Sequence, residues 1–184
     1  QRQVGGDHVP DVLRRFTPYG DLTVTRRGRQ LDVYENGIPV GSTGDPAAAE
    51  EIVHHALSQH PSPKSVLLVG GGLVGAPREV AKYPVKRIDY VELDPAVLEL
   101  AQVIVGSLRD PRVQPIADDA RRFIRSRRGE YDAVLLAVPD PSSAQLNRFY
   151  TVEFFAEVRR AVRADGVFSF SLTGAEHYAS PELR

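Results

Sequence analysis

Three residue types are absent from the 184-residue sequence: cysteine, methionine and tryptophan. Without cysteine, the chain cannot form a disulfide, act through a thiolate nucleophile or hold zinc by thiolate ligands. A chain without cysteine also fits a reducing compartment. Because no methionine occurs even at position 1, we expect the sequence to be part of a longer protein.

Long hydrophobic runs are also missing. The longest, residues 65–76, has twelve residues, of which four are glycine, whereas a membrane-spanning helix needs about 20 apolar residues. Neither sign of charge is in excess, since 23 basic and 24 acidic residues give a net charge of −1. The balance predicts no nucleic-acid partner. With 42% hydrophobic residues, the length fits one globular domain, alone or with a small appendage.

The first 45 residues predict two regions that precede the main domain. Residues 1–18 are polar and interrupted by glycine and proline, so we interpret them as a linker or arm. Residues 19–45 show apolar–polar alternation and contain Asn36-Gly37, a dipeptide typical of a type I′ hairpin turn. They therefore predict a small antiparallel β domain.

Residues 46–184 predict a Rossmann-like domain. Asp45 and Pro46 have the residue types of a helix cap and first helical position, and from position 65 short apolar strands alternate with amphipathic helices. Such alternation is typical of a parallel sheet covered by helices on both faces. We predict an α/β fold with five parallel strands in the order 3-2-1-4-5 and a ligand cleft at the carboxyl ends of the first and fourth strands.

A glycine-rich turn follows the first predicted parallel strand. Residues 70–75 read Gly-Gly-Gly-Leu-Val-Gly, a G-x-G-x-x-G pattern between a strand and a helix, and glycines there let the backbone approach a ligand. Glu92 lies twenty residues after Gly72, at the end of the next strand, where a carboxylate accepts hydrogen bonds from ribose hydroxyls. Loop and acid together predict a ribose-bearing ligand bound by Gly70, Gly71, Gly72 and Glu92. The alternative is a tight turn followed by a surface acid.

Three further acids are candidates at the same sheet edge. Asp118 and Asp119 follow the third strand, and one of them is expected to cap the next helix while the other binds an adenine amino group. Asp140 lies between Pro139 and Pro141 after the fourth strand, where a stiffened acid is a candidate catalytic base. A turn-capping role for Asp140 remains the alternative.

No metal site is predicted. His54 and His55 are adjacent, so on a helix they point in different directions and lack metal-ligand spacing. The basic run over residues 121–128 is interpreted as a solvated helix face.

The sequence resembles a spermidine synthase-like domain from about residue 19 to its end. The segments that carry the resemblance are Glu35-Asn36-Gly37, His60-Pro61-Ser62-Pro63-Lys64, Gly70-Gly71-Gly72 with Arg78-Glu79, Val91-Glu92-Leu93-Asp94, Asp110-Pro111-Arg112-Val113, Asp118-Asp119-Ala120 and Pro139-Asp140-Pro141. Two more segments, residues 144–150 and 180–184, resemble the bacterial branch in which this domain is fused to membrane helices. The implied fold is a small N-terminal β domain followed by a class I methyltransferase-like Rossmann domain.

The resemblance implies roles for several residues. Glu92 holds the ribose and Asp119 the adenine of decarboxylated S-adenosylmethionine, and Asp140 matches the second acid of the family's Asp-x-x-Asp loop. Two family acids are replaced: the acid that takes the amine proton falls at Ala137, and the acid that holds the donor's amine falls at Leu73. Further family residues that bind the polyamine fall at Val40, Ala49 and Glu50.

These departures leave more than one function open. The first is a transferase that uses an adenosyl sulfonium co-substrate, decarboxylated S-adenosylmethionine or S-adenosylmethionine, to transfer an aminopropyl or methyl group; no permanently bound cofactor is expected. The second is a nucleoside-binding module without catalysis that senses its ligand for a membrane protein. A dinucleotide oxidoreductase is disfavoured, because five strands leave no room for a second mononucleotide half.

The resemblance also bears on partners and location. It implies a nucleoside and a polyamine as small-molecule partners, and a place in the cytoplasm, on the cytoplasmic face of the membrane if membrane helices belong to the longer protein. The last predicted strand, residues 166–172, alternates apolar residues with serine and would lie at a sheet edge without charge or proline. We expect missing C-terminal strands or a second copy in a homo-oligomer to cover it.

Overall fold

The computed structural model describes residues 11–43 and 46–172, and within them two separate sheets. The first is antiparallel, with strands in chain order: β1 (Asp11–Phe16), β2 (Asp21–Arg27), β3 (Gln30–Glu35) and β4 (Ile38–Ser42). The turn between β3 and β4 places Asn36 and Gly37 at φ 52° and 78°, the left-handed region that a type I′ turn requires. The predicted hairpin is therefore confirmed.

The prediction of a linker over residues 1–18 is wrong for Asp11–Phe16, which form β1 and pair with β2. The apolar side chains of β1 form no buried face, and Phe16 is 75% exposed. Backbone hydrogen bonds and the ion pair between Arg14 and Asp21, at 2.6 Å, join β1 to its neighbour. An edge strand held in this way leaves no hydrophobic alternation to detect. Residues 1–10 lie outside the described residues.

The second sheet is parallel and contains β5 (Ser65–Gly70), β6 (Arg87–Glu92), β7 (Val113–Ala117), β8 (Tyr131–Ala137) and β9 (Val162–Phe170). The strand order is β7-β6-β5-β8-β9, which confirms the predicted 3-2-1-4-5. The chain leaves β5 toward one side of the sheet and later returns to its other side with β8. This reversal opens a crevice at the carboxyl ends of β5 and β8.

Six helices accompany the sheets in the described residues: α1 (Pro46–Leu57), α2 (Ala76–Val80), α3 (Pro95–Leu100), α4 (Ala120–Arg125), α5 (Ala144–Asn147) and α6 (Val152–Ala161). α1 and α2 pack on one face of the parallel sheet, and α4 and α6 on the other. The helix predicted over residues 95–105 continues after α3 as a π-helical turn, Ala101–Val105, and ends at Gly106 with φ 65°. The short α5 is a further element that periodicity did not predict. The predicted Asp45 cap of α1 lies outside the described residues.

A third hydrophobic cluster joins the two sheets. Leu22, Val24 and Val33 of the antiparallel sheet pack against α3 and against Leu73 in the glycine-rich turn. We call this cluster the junction core. It fixes the small sheet above the carboxyl edge of the parallel sheet and so determines where a ligand can enter.

Arg112 joins the loop before β7 to the end of α2. Its guanidinium donates to the carbonyl oxygens of Ala81, Tyr83 and Val85 at 2.6, 3.2 and 3.1 Å, and to the Asp110 carboxylate at 2.7 and 2.9 Å. These bonds satisfy carbonyl groups at and after the C-terminal end of α2, where no further helical turn provides N–H donors.

We expect Arg112→Ala to lower the free energy of unfolding by about 2 kcal/mol, because carbonyl groups lose charge-assisted donors. Urea denaturation followed by circular dichroism measures the change. Arg160→Ala removes an exposed arginine and is the matched control, expected to change stability by less than about 0.5 kcal/mol. Equal stability of the two variants would contradict the role of Arg112.

Candidate functional site

A cavity of about 470 Å³ lies at the carboxyl ends of the central parallel strands, beneath the small antiparallel sheet. The parallel sheet contributes the turn after β5, the residues after β6 and β7, and the end of β8. The small sheet contributes side chains of β3 and β4. Its lining includes Tyr34, Glu35, Val40, Gly70, Gly71, Gly72, Leu73, Glu92, Asp94, Asp118, Asp119, Ala137, Pro139 and Arg148.

The glycine-rich turn needs glycine because neighbouring atoms leave no space for a side chain. A Cβ atom on Gly72 would lie 2.2 Å from the hydroxyl oxygen of Tyr90, which is too close for any side chain at this position. Gly70 has φ +74°, which favours glycine because L side chains rarely adopt it. The bare backbone therefore forms the cavity floor, as the G-x-G-x-x-G pattern predicts.

Glu92 is half-buried at the end of β6 and faces this cavity. Its Oε1 accepts a hydrogen bond of 2.8 Å from the backbone N–H of Leu93, and the Tyr90 hydroxyl donates to Oε2 at 3.4 Å. Burial raises the pKa of Glu92 to about 7, against the lowering effect of the Leu93 and Asp94 backbone N–H groups, and the nearby charges of Glu35 and Asp94 add to the rise. The carboxylate is thus held at some cost in an enclosed place.

Carboxylates dominate the charge of the lining. Six acidic side chains contribute, namely Asp32, Glu35, Glu92, Asp94, Asp118 and Asp119, whereas Arg148 is the one basic residue that the described chain brings there. The cavity therefore has a strong excess of negative charge, which favours a cationic ligand.

Asp94 caps the helix that follows β6. Its Oδ1 accepts from the backbone N–H of Ala96 at 2.8 Å as the N-cap of α3. Its other oxygen accepts a 2.6 Å hydrogen bond from the hydroxyl of Thr17, in the turn between β1 and β2. Asp94 thereby ties the small sheet to the site.

The structure distinguishes the two neighbouring aspartates after β7. Asp119 is the N-cap of α4, with Oδ1 accepting from the Arg122 N–H at 3.0 Å, and its Oδ2 accepts from the guanidinium of Arg148. Burial alone raises the pKa of Asp119, but the bonds from Arg148 and Arg122 outweigh burial and lower it. Asp118 accepts from the Asp119 N–H at 2.6 Å and from Arg122 Nε at 2.7 Å. Both aspartates line the cavity.

Asp140 is placed differently from the other predicted site residues. It directly follows Pro139, which lines the cavity, but it is not itself among the lining residues. Its backbone carbonyl accepts from the Ser142 N–H at 2.6 Å. Burial, with the charge of Asp140 adding to it, raises the pKa of Tyr150 to about 12. The structure therefore brings six of the seven predicted residues to the cavity and places Asp140 beside it.

Sequence reasoning missed the contributions of Glu35 and Arg148. Glu35 directly precedes the Asn36-Gly37 turn and is half-buried, and burial followed by the charge of Asp94 raises its pKa. Arg148 is 29 residues from Asp119 along the chain, so no local pattern connects them. The signal that could have identified Glu35 is the Glu35-Asn36-Gly37 segment of the resemblance, which places an acid at the end of a hairpin strand.

The positions where the resemblance places missing acids are both apolar and both in the cavity. Leu73 is buried in the junction core, and Ala137 ends β8. Both residues line the cavity. The site therefore has carboxylates at Glu92 and Asp119, to which the resemblance assigns the nucleoside, and apolar surface where the resemblance expects acids.

Residues 11–43 and 46–172 contain no group of three or more histidine, cysteine or acidic side chains arranged to hold a metal ion. None of the helices in these two ranges is long and apolar enough to cross a membrane.

Comparison with known proteins identifies a family. Residues 46–177 match the spermine/spermidine synthase domain. The chain is 34% identical over 173 residues to the polyamine aminopropyltransferase of Oceanobacillus iheyensis, covering 89% of this chain and 34% of that protein. It is 36% identical over 168 residues to the corresponding protein of Mycobacterium tuberculosis, covering 86% and 32%. The chain thus spans about a third of the length of these curated relatives.

Solved structures agree in fold. A spermidine synthase in complex with the transition-state analogue AdoDATO superposes with a TM-score of 0.80 at 25% identity, covering 86% of this chain and 56% of that chain. The spermidine synthase of Thermotoga maritima gives a TM-score of 0.78 at 25% identity, with 86% and 55% coverage.

We expect Glu92→Gln to stabilise the folded protein at pH 8. An unfolded glutamate ionises near pH 4.5, whereas Glu92 in the fold ionises near pH 7. The folded chain therefore binds more protons between these values, and stability falls as pH rises through them. Above pH 7 the full cost of the ionised carboxylate is present, on the order of 3 kcal/mol, and the glutamine variant avoids it.

Chemical denaturation at pH 8 and pH 4.5 measures this effect. The advantage of Glu92→Gln should shrink toward zero at the lower pH. The control is Glu99→Gln, which makes the same chemical change at a 61% exposed side chain and should be nearly neutral. A glutamine variant less stable than wild type at pH 8 would show that Glu92 is not held at a cost.

Proposed function

Because the chain belongs to the spermine/spermidine synthase family, we propose that it binds an adenosyl sulfonium nucleoside, decarboxylated S-adenosylmethionine or a close relative, as the donor in a polyamine aminopropyltransferase-type reaction. The observation that carries the proposal is the cavity at the sheet's carboxyl edge, lined by a bare glycine backbone and six carboxylates. A ribose needs acceptors for its hydroxyls, and a sulfonium needs negative charge nearby. The cavity offers both.

Glu92 is the residue we assign to the ribose. It lies at the end of β6, beside the glycine-rich turn, and its carboxylate has about four lone-pair sites, of which the Leu93 N–H and the Tyr90 hydroxyl use part. The remaining sites can accept from the two ribose hydroxyls. A carboxylate whose pKa lies near 7 ionises more fully when a cation binds beside it, so the sulfonium charge and the ribose contact support one another.

The transfer step needs a base that the cavity lacks at the expected places. In aminopropyl transfer, the amine lone pair attacks the carbon next to sulfur, the carbon–sulfur bond breaks, and its electrons convert the sulfonium to a neutral thioether. The attacking amine has a pKa of about 10.4 in water and must lose a proton to react. Leu73 and Ala137 cannot accept it. We assign this role to Asp140, which would serve an acceptor that enters beside Pro139.

A second candidate function is nucleoside binding without transfer. The specific observation in its favour is that Leu73 and Ala137, both in the lining, remove two carboxylates from the part of the site where the resemblance places the amines. A positioned base contributes about 10²–10⁴ in rate, so its loss separates binding from catalysis. The two candidates share the nucleoside site and differ in whether an acceptor reacts.

Binding is tested by a ligand panel on the 184-residue chain. We expect 5′-methylthioadenosine and S-adenosylmethionine to raise the melting temperature and NADH to leave it unchanged, since a ligand at 100 times its Kd adds about 2.7 kcal/mol. Calorimetry should show that Glu92→Ala weakens the binding of 5′-methylthioadenosine by about 1.5–3 kcal/mol, the range for hydrogen bonds to a charged group. Glu99→Ala, on the exposed face of α3, should retain wild-type affinity. Wild-type affinity in Glu92→Ala would remove Glu92 from the site.

Transfer is tested with putrescine and decarboxylated S-adenosylmethionine, with spermidine measured by mass spectrometry. We expect little or no spermidine, because Ala137 and Leu73 lack carboxylates. Any residual rate should fall by about 10²-fold or more in Asp140→Asn and stay unchanged in Asp165→Asn, which alters an exposed acid in β9. Brisk spermidine formation in both wild type and Asp140→Asn would contradict the assignment of the base.

A further inference from the structure

We propose that the acceptor of this site is a primary alkyl monoamine, an amine with an uncharged apolar chain, rather than a diamine or a longer polyamine. The inference rests on the proposed function and names the acceptor class for the same cavity. The observation that carries it is the uneven distribution of charge in the lining, because the acids that end or follow parallel strands all lie on one side of β5.

The acidic side of the cavity is formed at the carboxyl ends of β6 and β7. Glu92 ends β6 and Asp94 follows it, while Asp118 and Asp119 follow β7. Glu35 of the small sheet belongs to the same side, because burial raises its pKa and the charge of Asp94 adds to the rise. The proposed function assigns the ribose and the sulfonium to these carboxylates. The nucleoside therefore occupies the acidic side, and the other side is left for the acceptor.

The neutral side of the cavity lies across β5, where β8 and the segments after it form the lining. From Ala137 to the last described residue, 172, the lining contains no acidic side chain, and its one charged group, the Arg148 guanidinium, bonds to Asp119 on the acidic side. Packing fixes this surface, since Ala137 belongs to the core on one face of the sheet and Val138 and Phe149 to the core on the other. The apolar lining residues of the neutral side are Ile52, Ala137, Val138, Pro139, Leu146 and Phe149.

A second ammonium group would find no counter-charge in the lining of the neutral side. Removing an unpaired charge from water is strongly unfavourable, whereas each buried methylene group raises affinity about 4-fold. Asp140, beside Pro139, is assigned to the proton of the reacting amine. Glu51 of α1 is exposed and lines a neighbouring cavity of about 200 Å³ rather than this one. The neutral side therefore favours an apolar chain over a second cation.

The transfer step with such an acceptor balances without a further reactant. The alkylammonium passes one proton to the Asp140 carboxylate, and the freed lone pair forms a bond to the carbon next to sulfur. The carbon–sulfur bond breaks, and its electron pair stays on sulfur. The products are a secondary ammonium and the neutral thioether. The reacting nitrogen meets the donor where the two sides join, and the alkyl chain extends along the neutral side.

Calorimetry on the chain saturated with 5′-methylthioadenosine tests the acceptor class. The probes are n-pentylamine and putrescine, which have equal numbers of non-hydrogen atoms and differ in one terminal group, methyl against ammonium. Wild type should bind n-pentylamine at least about 10-fold more tightly. Ala137→Asp adds a carboxylate to the neutral side and should reverse the preference, to at least about 10-fold in favour of putrescine.

Ala137→Asn is the matched control for shape. It adds a side chain of nearly the same size without a charge and should still favour n-pentylamine, and thermal denaturation checks that both variants fold. Glu51→Gln, in the neighbouring cavity, should leave the wild-type preference unchanged. If wild type binds putrescine as tightly as n-pentylamine, or more tightly, the inference is overturned. Loss of that putrescine binding in Glu51→Gln would then place the second ammonium in the neighbouring cavity.

A competition assay tests reaction as well as binding. With decarboxylated S-adenosylmethionine and equal concentrations of the two amines, mass spectrometry should find the aminopropyl adduct of n-pentylamine in excess over spermidine. Excess spermidine, or neither adduct, would overturn the inference. If 5′-methylthioadenosine binds but neither amine does, the inference is overturned while nucleoside binding stands. If 5′-methylthioadenosine itself does not bind, the proposed function falls and this inference falls with it.

Discussion

The packing of Leu73 between the two sheets is the contact on which the site depends. Leu73 is buried in the junction core, and a Cβ atom on Gly41 of β4 would lie only 2.5 Å from the Leu73 Cβ. The backbone of β4 therefore packs directly against Leu73, with no space for a side chain at Gly41. Without this contact, the small sheet would not cover the crevice at the carboxyl edge of the parallel sheet. Leu73, at a position where the resemblance places an acid, thus helps to determine the shape of the cavity.

The electrostatics of the cavity follow from that enclosure. Closing the small sheet over the edge brings Glu35 toward Glu92 and Asp94, and burial raises the pKa values of Glu35 and Glu92. Like charges confined in a poorly solvated place cost stability, and under the proposed function the positive charge of the sulfonium would offset this cost. A binding site that is unfavourable when empty is a common consequence of building for a charged ligand.

The sequence predicted the parallel sheet well because its three central strands, β5, β6 and β8, are buried on both faces and its turns carry glycine and proline. The predictions failed where tertiary contacts replace local pattern. β1 is held by backbone pairing with β2 rather than by an apolar face, so residues 11–16 read as irregular. The capping alternative at Asp118 and Asp119 could be stated but not decided, because both residues have a side chain suited to an N-cap and only the backbone geometry, in which Asp119 accepts from the Arg122 N–H, distinguishes them. Asp140 was placed at the correct sheet edge, yet the direction of a loop after a strand end is not encoded in strand periodicity.

The π-helical turn after α3 ends where the chain returns to the glycine-rich turn. It holds one more residue than an α-helical turn would, and after Gly106 the buried Ser107 donates to the Gly72 carbonyl at 3.0 Å. This bond fixes the end of the helix against the backbone that forms the cavity floor. Because α3 also packs in the junction core, a substitution that moves this helix would disturb both the floor of the cavity and the sheet that covers it.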